Sequence, residues 1–221
     1  ELLPRTLTQA IAPGAGDGKV ADYGGTADFS PDGRQILISG YGRSVLICDA
    51  ATGKTLQRLE HGDNVNGATF SGDGRRVVTW LEGRMAGMVG EVQLWDASNG
   101  QRIGQPLQHQ DNHWITLSHD GRRVLTLSGR EAQVWDADTS QKLSPALVHD
   151  AFIDGGKFSL DRLRVWTWTR PLEGKMNGSM QVWDATTGAT VGSPVSGAWA
   201  AFSRDDTRVL ARDGGKIIVL D

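Results

Sequence analysis

The sequence is poor in cysteine and in net charge, and it lacks long apolar runs. Cys48 is the only cysteine among 221 residues, so no disulfide can form within the chain. A net charge of -3 and a pI of about 6.0 give no basic field that could hold a nucleic-acid backbone. No apolar stretch is long enough to span a bilayer. We therefore expect neither nucleic-acid binding nor membrane insertion.

Catalytic motifs are also missing. The sequence contains no Gly-x-Ser-x-Gly elbow, no phosphate-binding loop and no paired-cysteine metal motif. Residues 1–5 do not form a secretory leader and there is no initiator Met, so we expect a piece of a longer polypeptide. We predict a protein that is not an enzyme, with no catalytic residue, no metal site and no cofactor.

Two short phrases recur along the chain. Phe-Ser-x-Asp-Gly, complete or degenerate, begins at Phe29, Phe70, Leu117, Phe158 and Phe202, with spacings of 41 to 47 residues. A hydrophobic run ending in Trp-Asp or a relative follows each one, at Cys48–Asp49, Trp95–Asp96, Trp135–Asp136, Trp183–Asp184 and Leu220–Asp221. A period of this length with several short strands per unit is typical of a propeller blade.

The second unit shows how the pattern predicts four strands. Residues 67–71 are small and half apolar, 76–80 are rich in β-branched side chains, and 91–95 alternate polar and apolar. Residues 101–108 form a polar fourth strand, while 72–74 and 96–100 have turn composition. No segment carries a sustained helical period, so we expect no long helix.

These units resemble the WD-repeat β-propeller family over residues 24–221. The resemblance implies an all-β fold of four-stranded antiparallel blades around an axial channel. We predict one domain, residues 1–221, with five blades at about 24–60, 65–108, 112–148, 152–195 and 197–221 plus 1–8. Residues 2–8 resemble an outer strand, so we expect them to close the ring beside residues 217–220. An arc of a larger propeller is the alternative.

A longer period overlies the shorter one. Residues 80–88 and 168–178 both contain Leu-Glu-Gly-(Arg/Lys)-Met-x-Gly before the next Trp, and equivalent points of the units lie 88 residues apart. The inner strands carry Gly67 and Gly155 in these units, but Trp114 and Trp199 in the following ones. We interpret this as aromatic bulk interleaved between blades, with Trp114, Trp166 and Trp199 packed.

Three histidines recur at one place in the unit, eight or nine residues before the inner-strand phrase: His61, His109 and His149. A metal site is one interpretation. The family resemblance implies another, in which each His bonds a second-strand Thr that reaches the third-strand Trp, here Thr79–Trp95, Thr126–Trp135 and Thr167–Trp183. The Asp after each Trp is expected to accept backbone N–H bonds in a turn, and Cys48 to be a small buried side chain.

We expect the chain to be a non-catalytic scaffold or sensor module that binds a protein or peptide partner on the loops around the channel mouth. Trp and Met beside Arg and Glu suit such a surface. The candidate partner-binding residues are Trp80, Glu82, Arg84, Met85, Met88, Asp111, His113, Arg130, Phe152, Trp168, Glu173, Lys175 and Met176.

Other roles are open at this stage. Trp80 and Trp168 could pack instead of binding, and Met85 and Met176 could fill gaps beneath their own loops. A receptor for a small molecule or glycan, using the channel mouth or the grooves between blades, is the alternative function. The phrase Asp-Ala-Ala-Thr-Gly looks like bacterial members of the family, so we expect a bacterial, cytoplasmic protein.

Overall fold

The protein is built from β-strands. Its structure, a computed structural model, describes residues 26–40, 42–81, 89–110, 114–171, 178–196, 200–203, 208–213 and 216–220. These residues form 19 strands and contain no helix, and none of their segments is a helix able to cross a membrane. The expectation of strands without a long helix is confirmed for this part of the chain.

The strands form five separate antiparallel sheets, numbered here in chain order. Sheet 1 contains β1 (Thr26–Phe29), β2 (Gln35–Ser39), β3 (Ser44–Asp49) and β4 (Thr55–Glu60); sheet 2 contains β5 (Gly67–Phe70), β6 (Arg76–Leu81), β7 (Val89–Asp96) and β8 (Arg102–Gln110). Sheet 3 contains β9 (Trp114–Leu117), β10 (Arg123–Ser128), β11 (Glu131–Asp136) and β12 (Leu147–Val148). Sheet 4 contains β13 (Ile153–Phe158), β14 (Arg164–Thr169), β15 (Ser179–Asp184) and β16 (Thr190–Ser196), and sheet 5 contains β17 (Ala200–Phe202), β18 (Val209–Asp213) and β19 (Lys216–Leu220).

Each sheet is a meander in which consecutive strands are neighbours. The strands of sheet 2 lie where the second unit predicts them, and the register pairs Phe70 with Val77 and Val77 with Trp95. Because every strand reverses direction, turns after first and third strands meet at one end of a sheet. The loops after second and fourth strands meet at the other end, called here the loop face.

The turn after each first strand is fixed by its own side chains. Ser71 Oγ donates to Asp73 at 2.6 Å and accepts the Arg76 N–H at 3.0 Å, while Gly74 has a φ of 71°, a value that glycine reaches without strain. Ser30, Ser118 and Ser159 repeat the serine contacts. The recurring Ser-x-Asp-Gly phrase is therefore a turn motif.

The turn after each third strand uses the Asp that follows the Trp position. Asp96 accepts from the hydroxyl of Ser98 at 2.5 Å and from its N–H at 2.8 Å, and these bonds hold the pKa of Asp96 below its usual value. Asp49, Asp136 and Asp184 accept equivalent bonds from the residues two and three positions later. The prediction that these carboxylates serve turns is confirmed.

A recurrent buried glutamine was not foreseen from the sequence. Gln93, Gln133 and Gln181 occupy one position of the third strand, and each amide donates to two carbonyls. One carbonyl is that of the next residue, and the other belongs to the fourth strand or the segment replacing it. The pairing of β7 with β8 and that of β15 with β16 each contain a register shift beside the glutamine. The glutamine amide therefore bonds a backbone carbonyl near the place where the hydrogen bonds between the two strands are interrupted.

The apolar core lies between consecutive sheets. One buried cluster joins sheets 1 and 2, a second joins sheets 2 and 3, and a third joins sheets 3 and 4. Cys48 is fully buried in sheet 1 and is a free thiol, which confirms its interpretation as a small core side chain. The repeated sheets are consistent with a propeller-like repeat.

The expected five-bladed closed ring is wrong. No sheet is closed, and sheet 5 has three strands among the described residues. Phe29 of sheet 1 is 62% exposed and Val219 of sheet 5 is 57% exposed, so the outer faces of the first and last sheets are open rather than packed together. The predicted closing strand, residues 1–8, and the connection after it, residues 9–23, lie outside the described residues.

Candidate functional site

Four of the predicted partner-binding residues lie in the described part of the loop face or at its strand ends: Trp80, Arg130, Phe152 and Trp168. The other nine lie outside the described residues: Glu82, Arg84, Met85, Met88, Asp111, His113, Glu173, Lys175 and Met176. The site is therefore built from the loops that join sheet 3 to sheet 4.

The connection from sheet 3 to sheet 4 is held by backbone hydrogen bonds. The His149 N–H donates to the Arg130 carbonyl at 2.9 Å, and the Ile153 N–H donates to the Gly129 carbonyl at 2.8 Å. The Arg170 N–H donates to the Phe152 carbonyl at 2.9 Å. These bonds tie the loop to the second-strand ends of both sheets. Residues 149–153 with their bonds to Gly129 and Arg130 are called the 149–153 frame.

The connection from sheet 1 to sheet 2 repeats this geometry. The His61 N–H donates to the Arg43 carbonyl at 2.8 Å, and the Val65 N–H donates to the Gly42 carbonyl at 2.9 Å. Residues 61–65 with these bonds are the 61–65 frame, in which Asn64 corresponds to Phe152. The repeat therefore supplies an internal reference for each residue of the site.

Phe152 and Arg130 lie together on the surface of the 149–153 frame. The Phe152 side chain is 54% exposed, and the Arg130 guanidinium carbon lies 5.6 Å from the centre of its ring. A cation above an aromatic face is attracted by the quadrupole of the ring. The structure thus brings together two residues that the sequence places in different units.

Further exposed groups lie on the loops and strand ends of sheets 3 and 4. Arg170 Nε lies 2.9 Å from Asp154 Oδ1, with both side chains more than half exposed. Trp114, which begins β9, is 49% exposed, and Val148 in β12 is 59% exposed. The exposure of Trp114 contradicts the expectation that it is packed, and Trp199 lies outside the described residues. Arg130, Phe152, Asp154 and Arg170 are called the sheet 3–4 surface.

Trp80 and Trp168 are half-buried and serve packing within their own sheets. Gly67 pairs with Trp80, and Gly155 pairs with Trp168. A Cβ at either glycine would overlap the facing indole ring, so the ring lies across the glycine. The interleaving between blades predicted from the sequence is therefore wrong, because the ring beside each glycine belongs to the paired strand of the same sheet.

A buried network fixes the base of the 61–65 frame. The Trp95 Nε1–H donates to Thr79 Oγ1 at 2.9 Å, and His61 Nε2 lies 2.8 Å from the same oxygen. His61 Nδ1 lies 3.1 Å from the Leu59 carbonyl, which can only accept. Nδ1 therefore carries the proton, and the Thr79 hydroxyl donates to Nε2.

The same network lies beneath the 149–153 frame. His149 Nε2 is 2.6 Å from Thr167 Oγ1, and the Trp183 Nε1–H donates to that oxygen at 2.7 Å. In sheet 3 the Trp135 Nε1–H donates to Thr126 at 2.8 Å, while the His109 side chain lies outside the described residues. The His–Thr–Trp contacts that the family resemblance implies are confirmed for His61 and His149.

Burial lowers the pKa of both His61 and His149. A neutral imidazole bonded to a threonine suits a structural role. Among the described residues, no three His, Cys, Asp or Glu side chains are arranged to hold a metal ion. The metal interpretation of the recurrent histidines therefore has no geometric support in this part of the chain.

Two clefts open between the described strands. One, of about 440 Å³, lies on the loop face beside the sheet 3–4 surface and is lined by polar groups that include His149, Asp150, Arg170 and Ser179. The other, of about 820 Å³, lies at the opposite end between sheets 1 and 2. Its carboxylates Asp32, Asp73 and Asp96 accept hydrogen bonds within their own turns.

No protein-family model matches this chain. Among solved structures it resembles Kuenenia stuttgartiensis hydrazine synthase, with a TM-score of 0.66 and 19% identity over 89% of this chain and 58% of that one. It also resembles the computationally designed Ika8 protein, with a TM-score of 0.62 and 21% identity over 87% of this chain and 56% of that one.

At these identities the resemblance concerns the fold alone. The chain spans less than two thirds of the length of either solved chain. Neither comparison shows a closed propeller of five blades. The chemistry of hydrazine synthase is a property of that protein.

Proposed function

We propose that this chain is a non-catalytic binding module that holds a protein or peptide partner on its loop face. The partner contacts the sheet 3–4 surface, with Phe152 and Arg130 at its centre. The nine predicted residues outside the described part stay in the proposal as candidates from the sequence alone.

One observation carries the proposal. The two frames share the same histidine position, the same backbone bonds and the same buried network, yet Asn64 stands in one and Phe152 in the other. The first frame shows that the fold does not need an aromatic residue here. An exposed Phe that the fold does not require is better explained by contact with a partner.

The chemistry of the surface suits a polypeptide. Aromatic and Arg side chains dominate the binding energy of protein interfaces, and a polar rim around them limits access of water. Phe152 offers an apolar ring with the Arg130 guanidinium over it, and the Arg170–Asp154 pair adds exposed charged groups to the same surface. A short segment with one apolar side chain flanked by polar groups would complement it.

A non-catalytic role is supported by where the titratable groups lie. His61 and His149 are only 8% exposed and are bonded to threonines. The recurrent Asp side chains accept hydrogen bonds within their own turns. In the described residues these groups are engaged in holding the fold, which leaves them poorly placed to act as general acid or base.

The family assignment belongs to this proposal. We assign the chain to the WD-repeat type because its repeated phrases coincide with turns and its His–Thr–Trp networks match the resemblance. A scaffold or sensor in the cytoplasm of a bacterium, within a longer polypeptide, is the context that the resemblance favours. These points rest on analogy with the family.

The test uses random peptides displayed on phage and selected on the folded chain. Selected peptides are synthesised, and their dissociation constants are measured for the parent chain and for Phe152→Asn, which installs the residue of the 61–65 frame. We expect binding to weaken at least about tenfold, as at a central interface residue. The stability of the variant is measured alongside.

The matched control is Leu160→Asn. Leu160 is 48% exposed in the same sheet but lies in the turn after the first strand, at the opposite end. Peptides should bind this variant as they bind the parent. Equal affinity for Phe152→Asn and the parent, or loss of binding in Leu160→Asn alone, would contradict the proposed site.

A receptor for a small molecule or glycan is the second candidate function. The cleft of about 440 Å³ favours it, because Trp183 and Asp150 line it together with several hydroxyl groups. An array of glycans and polar metabolites distinguishes the two functions. Specific retention of one compound, displaced by substitution of Asp150 and unaffected by Phe152→Asn, would favour the receptor over the peptide-binding module.

A further inference from the structure

The third-strand tryptophans of sheets 2 and 3 each have a cation over the indole ring. Arg102 pairs with Trp95, and its guanidinium carbon lies 5.1 Å from the centre of the ring. Lys142 pairs with Trp135, and its ammonium nitrogen lies 5.4 Å from the centre of that ring. Such cations are attracted by the quadrupole of the aromatic face. The repeat therefore uses one position, directly across from the tryptophan, to place a positive group on the indole.

Sheet 4 has a threonine at this position. Thr190 pairs with Trp183, and in the part of the chain that the structure describes no cation lies over the Trp183 ring. Instead, Trp183 and Thr190 line the cleft of about 440 Å³, which extends to Arg170 and Ser179 at the loop face. The place that a side chain fills in sheets 2 and 3 thus borders a cleft in sheet 4.

The 61–65 frame shows how the cation of sheet 2 is held. Arg102 Nη2 donates to the carbonyl of Glu60, the residue immediately before the frame, at 3.0 Å. Val148 stands immediately before the 149–153 frame and lines the cleft. Because the two frames share their backbone bonds, the Val148 carbonyl is the equivalent acceptor for a positive group over Trp183.

The charge of the cleft favours such a group. Asp150 lines the cleft, is exposed, and has Gly62 as its counterpart in the 61–65 frame. Arg170, which also lines the cleft, forms an ion pair with Asp154 at 2.9 Å. Among the described residues no cation forms an ion pair with Asp150. Its carboxylate therefore gives the cleft an unbalanced negative charge, which attracts a positive ligand.

We propose that this cleft receives a guanidinium or ammonium group, which lies over Trp183 and bonds to the Val148 carbonyl and the Asp150 carboxylate. The group is an Arg or Lys side chain of the peptide partner. This inference rests on the proposed function and adds a basic residue to the chemistry of the partner. The occupant is a cation because the chain itself places a cation over the two equivalent tryptophans, Trp95 and Trp135.

A titration of the whole chain with N-acetyl-arginine amide tests the cleft without a peptide, and the indole N–H signal of Trp183 in the NMR spectrum is followed. We expect a saturable shift of this signal, and at least about threefold weaker binding of the neutral isostere N-acetyl-citrulline amide. Asp150→Asn should weaken binding of the arginine probe by at least about twofold. The absence of a shift, or an equal response to the citrulline compound, overturns the proposal.

Thr190→Arg installs the residue of sheet 2, so its own guanidinium should lie over Trp183 and exclude the probe. We expect at least about fivefold weaker binding of N-acetyl-arginine amide. The matched control is Thr186→Arg, which adds the same charge at an exposed position in the turn after β15 and should bind the probe as the parent does. Thermal unfolding checks that both variants are folded. Equal losses in the two variants would mean general charge repulsion and overturn the proposal.

The peptides selected on the parent chain test the source of the cation. They should contain an Arg or Lys whose replacement by citrulline or acetyl-lysine weakens binding at least about threefold, and Thr190→Arg should weaken them as well. Peptides that bind equally well after both changes overturn the assignment of the cation to the partner, even where the free probe binds. Failure of the proposed function has a separate signature, which is equal peptide affinity of Phe152→Asn and the parent.

Discussion

The 61–65 frame and the 149–153 frame share one backbone geometry but present different side chains at the surface. Both carry a histidine bonded to a second-strand threonine, and both return to the preceding sheet through the same two backbone bonds. They differ where Asn64 and Phe152 meet solvent. The comparison separates the residues that the fold requires from the side chain that only the surface presents. A single frame could not show this difference.

The largest effect is expected from breaking the buried network that the frames share. Thr167→Val and Thr79→Val each remove the hydroxyl that pairs a histidine with an indole N–H. Leaving buried polar groups unpaired should lower the free energy of unfolding by about 2–4 kcal/mol. Urea denaturation measures it, and losses below about 0.5 kcal/mol in both variants would mean that the networks do not hold the frames.

A smaller loss of stability is expected from a substitution in the first strand that follows a frame. Gly155→Ala places a methyl group where the Trp168 ring lies, and such overpacking should cost about 1–3 kcal/mol. Adding Trp168→Leu should recover much of the loss, since sheet 3 pairs the bulky Trp114 with Leu127. Thermal unfolding of the single and double variants tests this, and an additive loss would contradict the account.

The Arg130–Phe152 pair should affect binding without affecting stability. Arg130→Ala should weaken binding of a selected peptide by about 1 kcal/mol, a common cost of truncating an Arg that contacts a partner. Arg43 is the matched control, because it holds the same place in the 61–65 frame opposite Asn64. Equal effects of Arg43→Ala and Arg130→Ala on peptide affinity would contradict a site centred on Phe152.

The smallest effect is expected from pH. The folded state lowers the pKa of His61 and His149 by burial, so the unfolded chain takes up protons first as the pH falls below about 6.5. Stability should therefore be constant near pH 7.5 and fall on acidification toward the folded pKa values. His61→Gln and His149→Gln should each flatten the slope, and a parent chain that gains stability on acidification would contradict this assignment.

The strands, the turns and the networks could be predicted from the sequence because each follows from residues that are close in one unit. The Ser-x-Asp-Gly and Trp-Asp phrases place their turns directly. Trp114 was predicted incorrectly because periodicity does not reveal whether a neighbouring sheet covers a position. Ring closure failed for the same reason, since it depends on packing between the first and last sheets.

Contacts that cross between units were the least predictable. Arg130 and Phe152 are candidates from their positions in predicted loops, but their contact involves two units, which the loop bonds between sheets 3 and 4 bring together. The glutamine bonds were missed because Gln93, Gln133 and Gln181 have no signature except their repeat position. That shared position in three units was the one available signal.

The most direct test exchanges the two surfaces on their shared frame. The double variant Asn64→Phe with Phe152→Asn keeps the composition of the chain and moves the aromatic residue beside Arg43. We predict a free energy of unfolding within about 0.5 kcal/mol of the parent, as for surface substitutions, together with at least about a tenfold loss of affinity for peptides selected on the parent. Retained affinity, or loss of the fold, would contradict the separation of frame from binding surface.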